Sequence, residues 1–149
     1  MQLHGRIFIF PALILFIVSL AACAGTSGPG INDNRGPAVE KQLKDLEQGL
    51  KLETWSKVRD FFAPGYYQGY GELRQRLENR WRNEDLVDIR FTVNKVLASD
   101  GLLNASVRWQ MSYLDRRGKP HRRAGESEIL LKPAGDGFRI LQVKGDSFF

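Results

Sequence analysis

The sequence has few of the residues that build metal centres and disulfide bonds. It contains one cysteine, Cys23, and two histidines, His4 and His121, in 149 residues. A single cysteine cannot form a disulfide within its own chain. These three side chains also lack the spacing of a transition-metal site, so we expect no metal and no cofactor. A Ser-His-Asp catalytic arrangement is not expected either, because His121 sits among the basic residues of 116–123 and should be solvated.

The excess of positive charge is small. The chain has 22 Lys and Arg against 17 Asp and Glu, which gives a net charge of +5. This excess is too weak to indicate nucleic-acid binding, although it favours anionic surfaces such as the phosphates of phospholipid or lipopolysaccharide. We therefore expect no nucleic acid among the partners.

One long apolar run stands near the beginning of the sequence. Arg6 precedes it, residues 7–20 are almost wholly apolar, and small residues follow at 21–25. A basic start, an apolar core and a small-residue region are typical of an export signal. The run is also short for a membrane-spanning helix, which needs about 20 apolar residues.

Residues 20–23, Leu-Ala-Ala-Cys, resemble the bacterial lipobox. The resemblance implies a lipoprotein signal peptide at residues 1–22, cleavage before Cys23, and a diacylglycerol group on the Cys23 thiol, often with a further acyl chain on the new amine. Two or more acyl chains would hold the protein on a membrane. Ala24 fits sorting to the outer membrane, with the protein facing the periplasm. The alternative is a plain secreted protein whose cysteine is incidental.

The rest of the chain divides into a tether and one domain. Residues 23–36 would form the lipidated cysteine and a flexible tether, because they are rich in Gly, Ser, Asn and Pro. Residues 37–149 form the domain. The spacing of its apolar residues predicts helices at 37–51, 54–62 and 71–83.

Four strands are predicted after the helices, and the loops between them predict their register. A slip of one residue would turn every side chain to the other face of a sheet. The predicted loops have three residues at 99–101, three at 116–118 and four at 133–136. The resulting pairs are Ile89–Met111, Phe91–Trp109, Val93–Val107, Trp109–Gly125, Ala105–Ile129, Leu103–Leu131, Leu131–Phe138 and Ile129–Ile140. These pairs bring the apolar residues to one face, which predicts an antiparallel meander with the helices packed on that face.

Three helices followed by a long antiparallel meander resemble the nuclear transport factor 2-like superfamily, which includes ketosteroid isomerase and scytalone dehydratase. The resemblance is carried by Phe-Phe-Ala-Pro-Gly-Tyr-Tyr at 61–67, by the helix at 71–81 and by Gly-Phe-Arg-Ile at 137–140. It implies an α+β fold, the cystatin-like roll, in which a curved four-stranded sheet wraps around three helices and leaves a conical cavity. A fold alone does not imply a function.

Polar residues on the inner face define the predicted ligand site. The expected register places Ser127 and Gln142 side by side on that face, and Gly125 leaves space beside an indole ring. The predicted ligand-binding residues are Trp109, Ser127, Gln142, Tyr113 and Tyr67, the two tyrosines standing at the rim. Apolar walls with a few convergent polar groups are typical of a small-molecule pocket. The alternative is an ordinary core with a hydrogen-bonded Ser–Gln pair.

Two classes of function remain open. The first is a non-catalytic, membrane-anchored envelope lipoprotein that binds a small apolar ligand or another envelope protein. The second is a small isomerase or dehydratase, since relatives on this fold place a carboxylate base in the cavity. The expected register gives the inner strand positions no carboxylate, because Glu126 and Glu128 face outward and Asp60 and Asp88 lie near element ends. The sequence therefore favours the first class.

The outer face of the sheet carries a predicted contact surface. The expected register sends Leu130, Leu141 and Val143 outward, and an apolar patch with a polar rim is typical of an interface. A homodimer through these residues is one interpretation. In the other, residues 146–149 fold back and cover the patch. The basic residues of 116–123 would be available to touch anionic headgroups.

Overall fold

The computed structural model describes residues 35–149. The predicted signal peptide, Cys23 and all but the last two residues of the predicted tether lie outside this part of the chain. No helix among the described residues is long and apolar enough to cross a membrane.

In the described part, three α-helices precede the sheet. They are α1 (Arg35–Lys51), α2 (Trp55–Val58), which continues into a short 3₁₀ turn (Arg59–Phe61), and α3 (Tyr70–Trp81). The helix α1 forms where apolar residues recur every three or four positions, and it buries that stripe against the sheet. The buried residues of the stripe are Val39, Leu43, Leu46 and Leu50. The helix α1 begins at Arg35, so residues 35 and 36, which were predicted to belong to the tether, are helical.

The sheet is a four-stranded antiparallel meander. Its strands are β1 (Glu84–Ser99), β2 (Leu102–Asp115), β3 (Pro120–Ala134) and β4 (Gly137–Gly145), and they are hydrogen-bonded in that order. All three helices precede the strands in the chain, and α1 packs across the inner face of the sheet. This α+β arrangement agrees with the predicted class of fold.

The predicted register between β1 and β2 is confirmed, although the loop differs from the prediction. Phe91 lies opposite Trp109, as expected. The turn has two residues, Asp100 and Gly101, whose φ angles are 52° and 76°. Such a turn matches the twist of the two strands. The shorter turn shifts the register by one residue, and a bulge at Asn94 shifts it back, so the pairs beyond the bulge are the predicted ones.

The predicted register between β2 and β3 is also confirmed. Trp109 lies opposite Gly125, and the other two predicted pairs are present as well. The loop has the three predicted residues, and Gly118 takes a φ of 74° at its end. The main-chain amide of Asp115 donates to the carbonyl of Lys119 over 3.0 Å and closes the loop.

The predicted register between β3 and β4 is wrong. The turn has two residues, Gly135 and Asp136, so Ile140 lies opposite Leu131 rather than Ile129. A bulge between Ile140 and Gln142 then shifts the pairing by one more residue. Two side chains consequently exchange faces relative to the prediction. Gln142 pairs with Leu130 on the outer face, and Val143 pairs with Ile129 on the inner face, where it is buried.

Side chains and loops from the helical layer cover both edges of the sheet. On β1, the carboxylate of Glu47 accepts a hydrogen bond from the amide of Phe91 over 2.6 Å, and Glu53 accepts one from the amide of Leu86 over 2.8 Å. Burial raises the pKa of Glu53. On β4, the amides of Ala63 and Tyr67 donate to the strand's carbonyls, each over 2.9 Å. Exposed strand edges invite pairing with other chains, so these contacts protect the sheet.

Candidate functional site

The centre of the inner face is a hydrogen-bonded cluster around Trp109. The indole Nε1 of Trp109 donates to the hydroxyl oxygen of Ser127 and to the carbonyl oxygen of Asp146, each over 3.1 Å. The hydroxyl of Ser127 donates to the same carbonyl over 2.6 Å. Apart from tyrosine and tryptophan, Ser127 is the only polar or charged residue that is buried in the described part of the chain. Trp109 and Ser127, two of the predicted site residues, are therefore adjacent. Their polar groups bind a main-chain carbonyl of the protein.

Gly125 leaves the space that Asp146 occupies. A Cβ atom at this position would lie 2.5 Å from Cβ of Asp146 and 2.6 Å from Cζ2 of Trp109. The carboxylate of Asp146 accepts a hydrogen bond from the amide of Glu126 over 3.0 Å, and the amide of Asp146 donates to the carbonyl of Glu126 over 2.9 Å. The space that the sequence suggests for a ligand is thus filled by Asp146.

Phe148 and Phe149 continue this segment into the apolar centre. The ring of Phe148 lies 4.8 Å from that of Phe91 and 6.5 Å from that of Trp109, centre to centre, and it is only 1% exposed. The ring of Phe149 lies 5.6 Å from that of Phe62. We call residues 146–149 the closing segment. It packs on the inner face, so the interpretation in which it covers the outer patch is wrong.

The other three predicted ligand-binding residues lie away from this cluster. Tyr67 is 78% exposed. Gln142 is on the outer face, for the reason given above. Tyr113 is buried, but it stacks on His121 with 5.3 Å between ring centres, and the guanidinium of Arg123 lies 4.5 Å above its ring. The structure brings together two of the five predicted residues.

Tyr66 was not among the predicted site residues. Its hydroxyl is one of two buried polar side-chain atoms without a hydrogen-bond partner in the described part of the chain. The other is Nε of Arg76. Tyr66 is 3% exposed, and its ring packs edge-on against Phe62 at 5.2 Å. Burial raises the pKa of Tyr66, and the positive charge of Arg76 opposes that rise. Two adjacent tyrosines follow the Pro-Gly turn, and nothing in their sequence says which one faces the core.

The four carboxylates considered as candidate acids or bases from the sequence lie away from the inner face. Glu126 and Glu128 are exposed, as predicted, and Glu126 pairs with Arg108 over 3.3 Å. Asp60 is exposed, and Asp88 forms an ion pair with Lys51 over 2.6 Å. The hydrogen bond from Lys51 lowers the pKa of Asp88. Among the described residues, no charged side chain is buried and no group of acidic, histidine or cysteine side chains is placed to hold a metal ion.

His121 and Asp115 form a pair at the loop between β2 and β3. Nε2 of His121 lies 3.0 Å from a carboxylate oxygen of Asp115. The same carboxylate accepts hydrogen bonds from the amides of Arg117 and Lys119, over 2.8 and 3.0 Å. The contact with His121, followed by these amide bonds, lowers the pKa of Asp115. The carboxylate of Asp115 therefore stabilises the loop between β2 and β3.

Comparison with solved structures identifies the fold. A conserved protein from Planctomyces limnophilus aligns with a TM-score of 0.63 at 9% identity, covering 74% of this chain and 97% of that one. A nuclear transport factor 2-like superfamily protein from Salmonella enterica gives 0.60 at 9% identity, with 73% and 87% covered. A ketosteroid isomerase-like protein from Erwinia carotovora gives 0.61 at 12% identity, with 78% and 98% covered. No protein-family model and no curated protein matches the chain.

These likenesses show the fold and nothing finer. The described part of the chain has the nuclear transport factor 2-like fold, in which a four-stranded antiparallel sheet packs on helices. That fold is shared by proteins described as ketosteroid isomerase-like and as a putative aromatic ring hydroxylase. Function must therefore be argued from the residues of this chain.

Proposed function

We propose that this protein is a non-catalytic envelope lipoprotein, held on a membrane by lipid on Cys23, whose domain binds or scaffolds a partner. The proposal for the anchor rests on the sequence of residues 1–24: an apolar run, then Leu-Ala-Ala-Cys, then Ala24. The membrane would be the outer membrane, with the domain facing the periplasm. Residues 23–34 would link the lipid to α1.

The observation that carries the non-catalytic assignment is the occupation of the inner face by the closing segment. The polar groups of Trp109 and Ser127 are satisfied by the carbonyl of Asp146, and Phe148 fills the apolar space beside them. An enzyme on this fold would need an acid or base aimed at a substrate in that space. The alternative, a small isomerase or dehydratase, is supported only by the names of some proteins of the same fold.

Native mass spectrometry of residues 23–149 carrying Cys23→Ser tests whether the inner face has room for a small molecule. We expect the mass of the polypeptide alone, since the closing segment already occupies the inner face. A small molecule bound in stoichiometric amount would contradict the proposal if Trp109→Phe released it. The same molecule retained by Trp109→Phe would bind elsewhere and leave the non-catalytic assignment intact.

For the outer face, we propose a second copy of the chain as the partner. Leu130 and Leu141 are half-buried, while Val143, which the sequence analysis placed with them, is buried on the inner face. A two-fold pairing of this patch would be self-complementary. Leu130→Lys is expected to turn a dimer into a monomer in light scattering, and Gln110→Lys, on an exposed residue of β2, serves as the control. A wild-type chain that is monomeric at high micromolar concentration would rule out the dimer.

A further inference from the structure

The loop between β2 and β3 carries a cluster of cations without anionic partners in the described part of the chain. We call Arg116, Arg117, Lys119 and Arg122 the basic tip; all four are exposed. None of their side chains forms an ion pair or hydrogen bond with another described residue. Other arginines of the domain are paired: Glu84 binds both Arg80 and Arg123, at 3.0 and 2.8 Å. The positive charges of the basic tip are therefore not neutralised by ion pairs within the described part of the chain.

The acidic groups at this end of the sheet offset the basic tip only in part. Asp115, at the base of the loop, is held by His121 and by two main-chain amides of the loop. Glu84 is shared between two arginines. Asp85, opposite Leu114 on β1, is exposed. Asp88 lies in the same row of the sheet as Arg122, but it is already paired with Lys51 and Arg90. A positive surface remains, and it attracts anions.

Apolar residues lie directly beside these cations. Val87 is 54% exposed, at the bulge of β1. Together with Leu114 and Pro120 it lines a hollow of about 440 Å³, and Arg122 stands at the same hollow. Cations next to exposed apolar side chains suit the boundary between lipid headgroups and acyl chains, whereas a polyanion in water would gain nothing from the apolar part.

We propose that the basic tip and this hollow bind a membrane surface that contains anionic lipid. The proposal builds on the proposed function, because an anchored domain is always close to such a surface. The cations would contact lipid phosphates, and Val87 would enter the boundary layer. The charge complementarity of the site carries the assignment to anionic lipid.

The geometry of the chain allows the tip to reach the membrane that holds Cys23. Near its start, α1 lies beside Phe138 and the turn between β3 and β4, which is the opposite end of the sheet from the basic tip. The strand β2 has 14 residues and so spans about 46 Å. The 12 residues from Cys23 to the start of α1 reach at most about 40 Å. A domain tethered near the turn between β3 and β4 can thus lie with its long axis along the membrane, so that the basic tip also contacts the surface.

The test measures binding of residues 23–149 carrying Cys23→Ser to vesicles, after circular dichroism has verified folding. This chain has no acyl group, so the result does not depend on lipidation of Cys23. We expect binding to vesicles of equal parts phosphatidylglycerol and phosphatidylcholine, weakening at high salt, and no binding to phosphatidylcholine alone. Binding to both vesicles alike, or to neither, would overturn the proposal.

Two variants with equal loss of charge locate the site. Removing both charges with Arg116→Gln and Arg117→Gln should weaken binding about 30-fold, since each basic residue near such a surface contributes about fivefold. Lys44→Gln with Lys57→Gln removes two exposed cations from helices and should weaken binding only slightly. Equal losses in the two double variants would mean that net charge alone is responsible, and the proposal would fail.

A third variant separates lipid from other polyanions. Val87→Ser should weaken vesicle binding several-fold and leave binding to a short DNA duplex unchanged, because only the lipid surface has an apolar layer to accept the side chain. A duplex bound as tightly as the vesicles, with Val87→Ser neutral for both, would overturn the assignment to lipid.

Discussion

The indole Nε1 of Trp109 and the carbonyl oxygen of Asp146 are joined by a hydrogen bond of 3.1 Å across the inner face of the sheet. This bond fixes the closing segment against the inner face. It also explains why Ser127 is buried without cost, since its hydroxyl donates to the same carbonyl. The inner face is therefore a packed core to which residues 146–149 contribute.

Trp109→Ala is expected to lower the free energy of unfolding by roughly 3–5 kcal/mol, the range for emptying a large aromatic site in a core. Trp109 is 4% exposed and packs against Phe148. Urea unfolding followed by circular dichroism measures the loss. Trp109→Phe keeps most of the apolar area and loses the N–H donor, so it should cost clearly less. An alanine variant as stable as the wild type would mean that Trp109 is solvated.

Gly125→Ala is expected to destabilise the domain by about 1–3 kcal/mol, because the new methyl group has no room beside Asp146 and Trp109. Gly71→Ala is the matched control. It lies in α3, where a Cβ atom would have no neighbour within 4 Å, and alanine favours a helix over glycine by about 0.5 kcal/mol. Urea unfolding of both variants should thus show shifts of opposite sign. A neutral Gly125→Ala would show that the closing segment does not rest on β3.

Tyr66→Phe is expected to raise stability by about 1 kcal/mol, because it removes a buried hydroxyl that has no hydrogen-bond partner among the described residues. Tyr67→Phe, on the exposed neighbour, should have no effect on the midpoint of urea unfolding. A loss of stability in Tyr66→Phe would show that the hydroxyl makes a hydrogen bond in solution.

The raised pKa of Tyr66 adds a prediction for alkaline pH. Above about pH 10 the unfolded chain loses the phenolic proton before the folded chain does, so stability falls as the pH rises. Tyr66→Phe should make that fall shallower without abolishing it, since the pKa of Tyr70 is raised by burial as well. Urea midpoints at pH 8 and pH 11 provide the comparison, and equal falls in wild type and variant would contradict it.

The sequence predicted the sheet well where a loop and its strands left one consistent solution. Between β2 and β3, the glycine of the loop and the alternation of apolar residues agree, and Trp109 lies opposite Gly125 as predicted. Between β1 and β2, a shorter turn and the bulge at Asn94 cancel, so the predicted pairs are right although the loop is not. Between β3 and β4, the shift of register caused by the shorter turn and the shift caused by the bulge before Gln142 have the same direction, so they add. A bulge has no reliable mark in a single sequence.

The same reason limits the prediction of the site. The face on which Trp109 and Ser127 lie depends on the register between β2 and β3, which was predicted correctly. The face on which Gln142 lies depends on the register between β3 and β4, which was predicted wrongly. The course of the closing segment depends on Gly145, whose φ of 87° turns the chain towards β3. A Cβ there would lie 2.7 Å from the carbonyl oxygen of Glu126. Sequence pattern does not encode the direction of such a turn.

Anchoring of the protein through lipid on Cys23 is tested by mass spectrometry of the protein extracted from cell membranes. The predicted result is a chain that begins at Cys23 and carries the added mass of a diacylglycerol group, with or without a further acyl chain. Cys23→Ser should abolish that mass and, after a wash at high salt that removes proteins held by charge alone, leave no protein in the membrane fraction. A mature chain that begins elsewhere, or that begins at Cys23 without lipid, would rule out the lipid anchor.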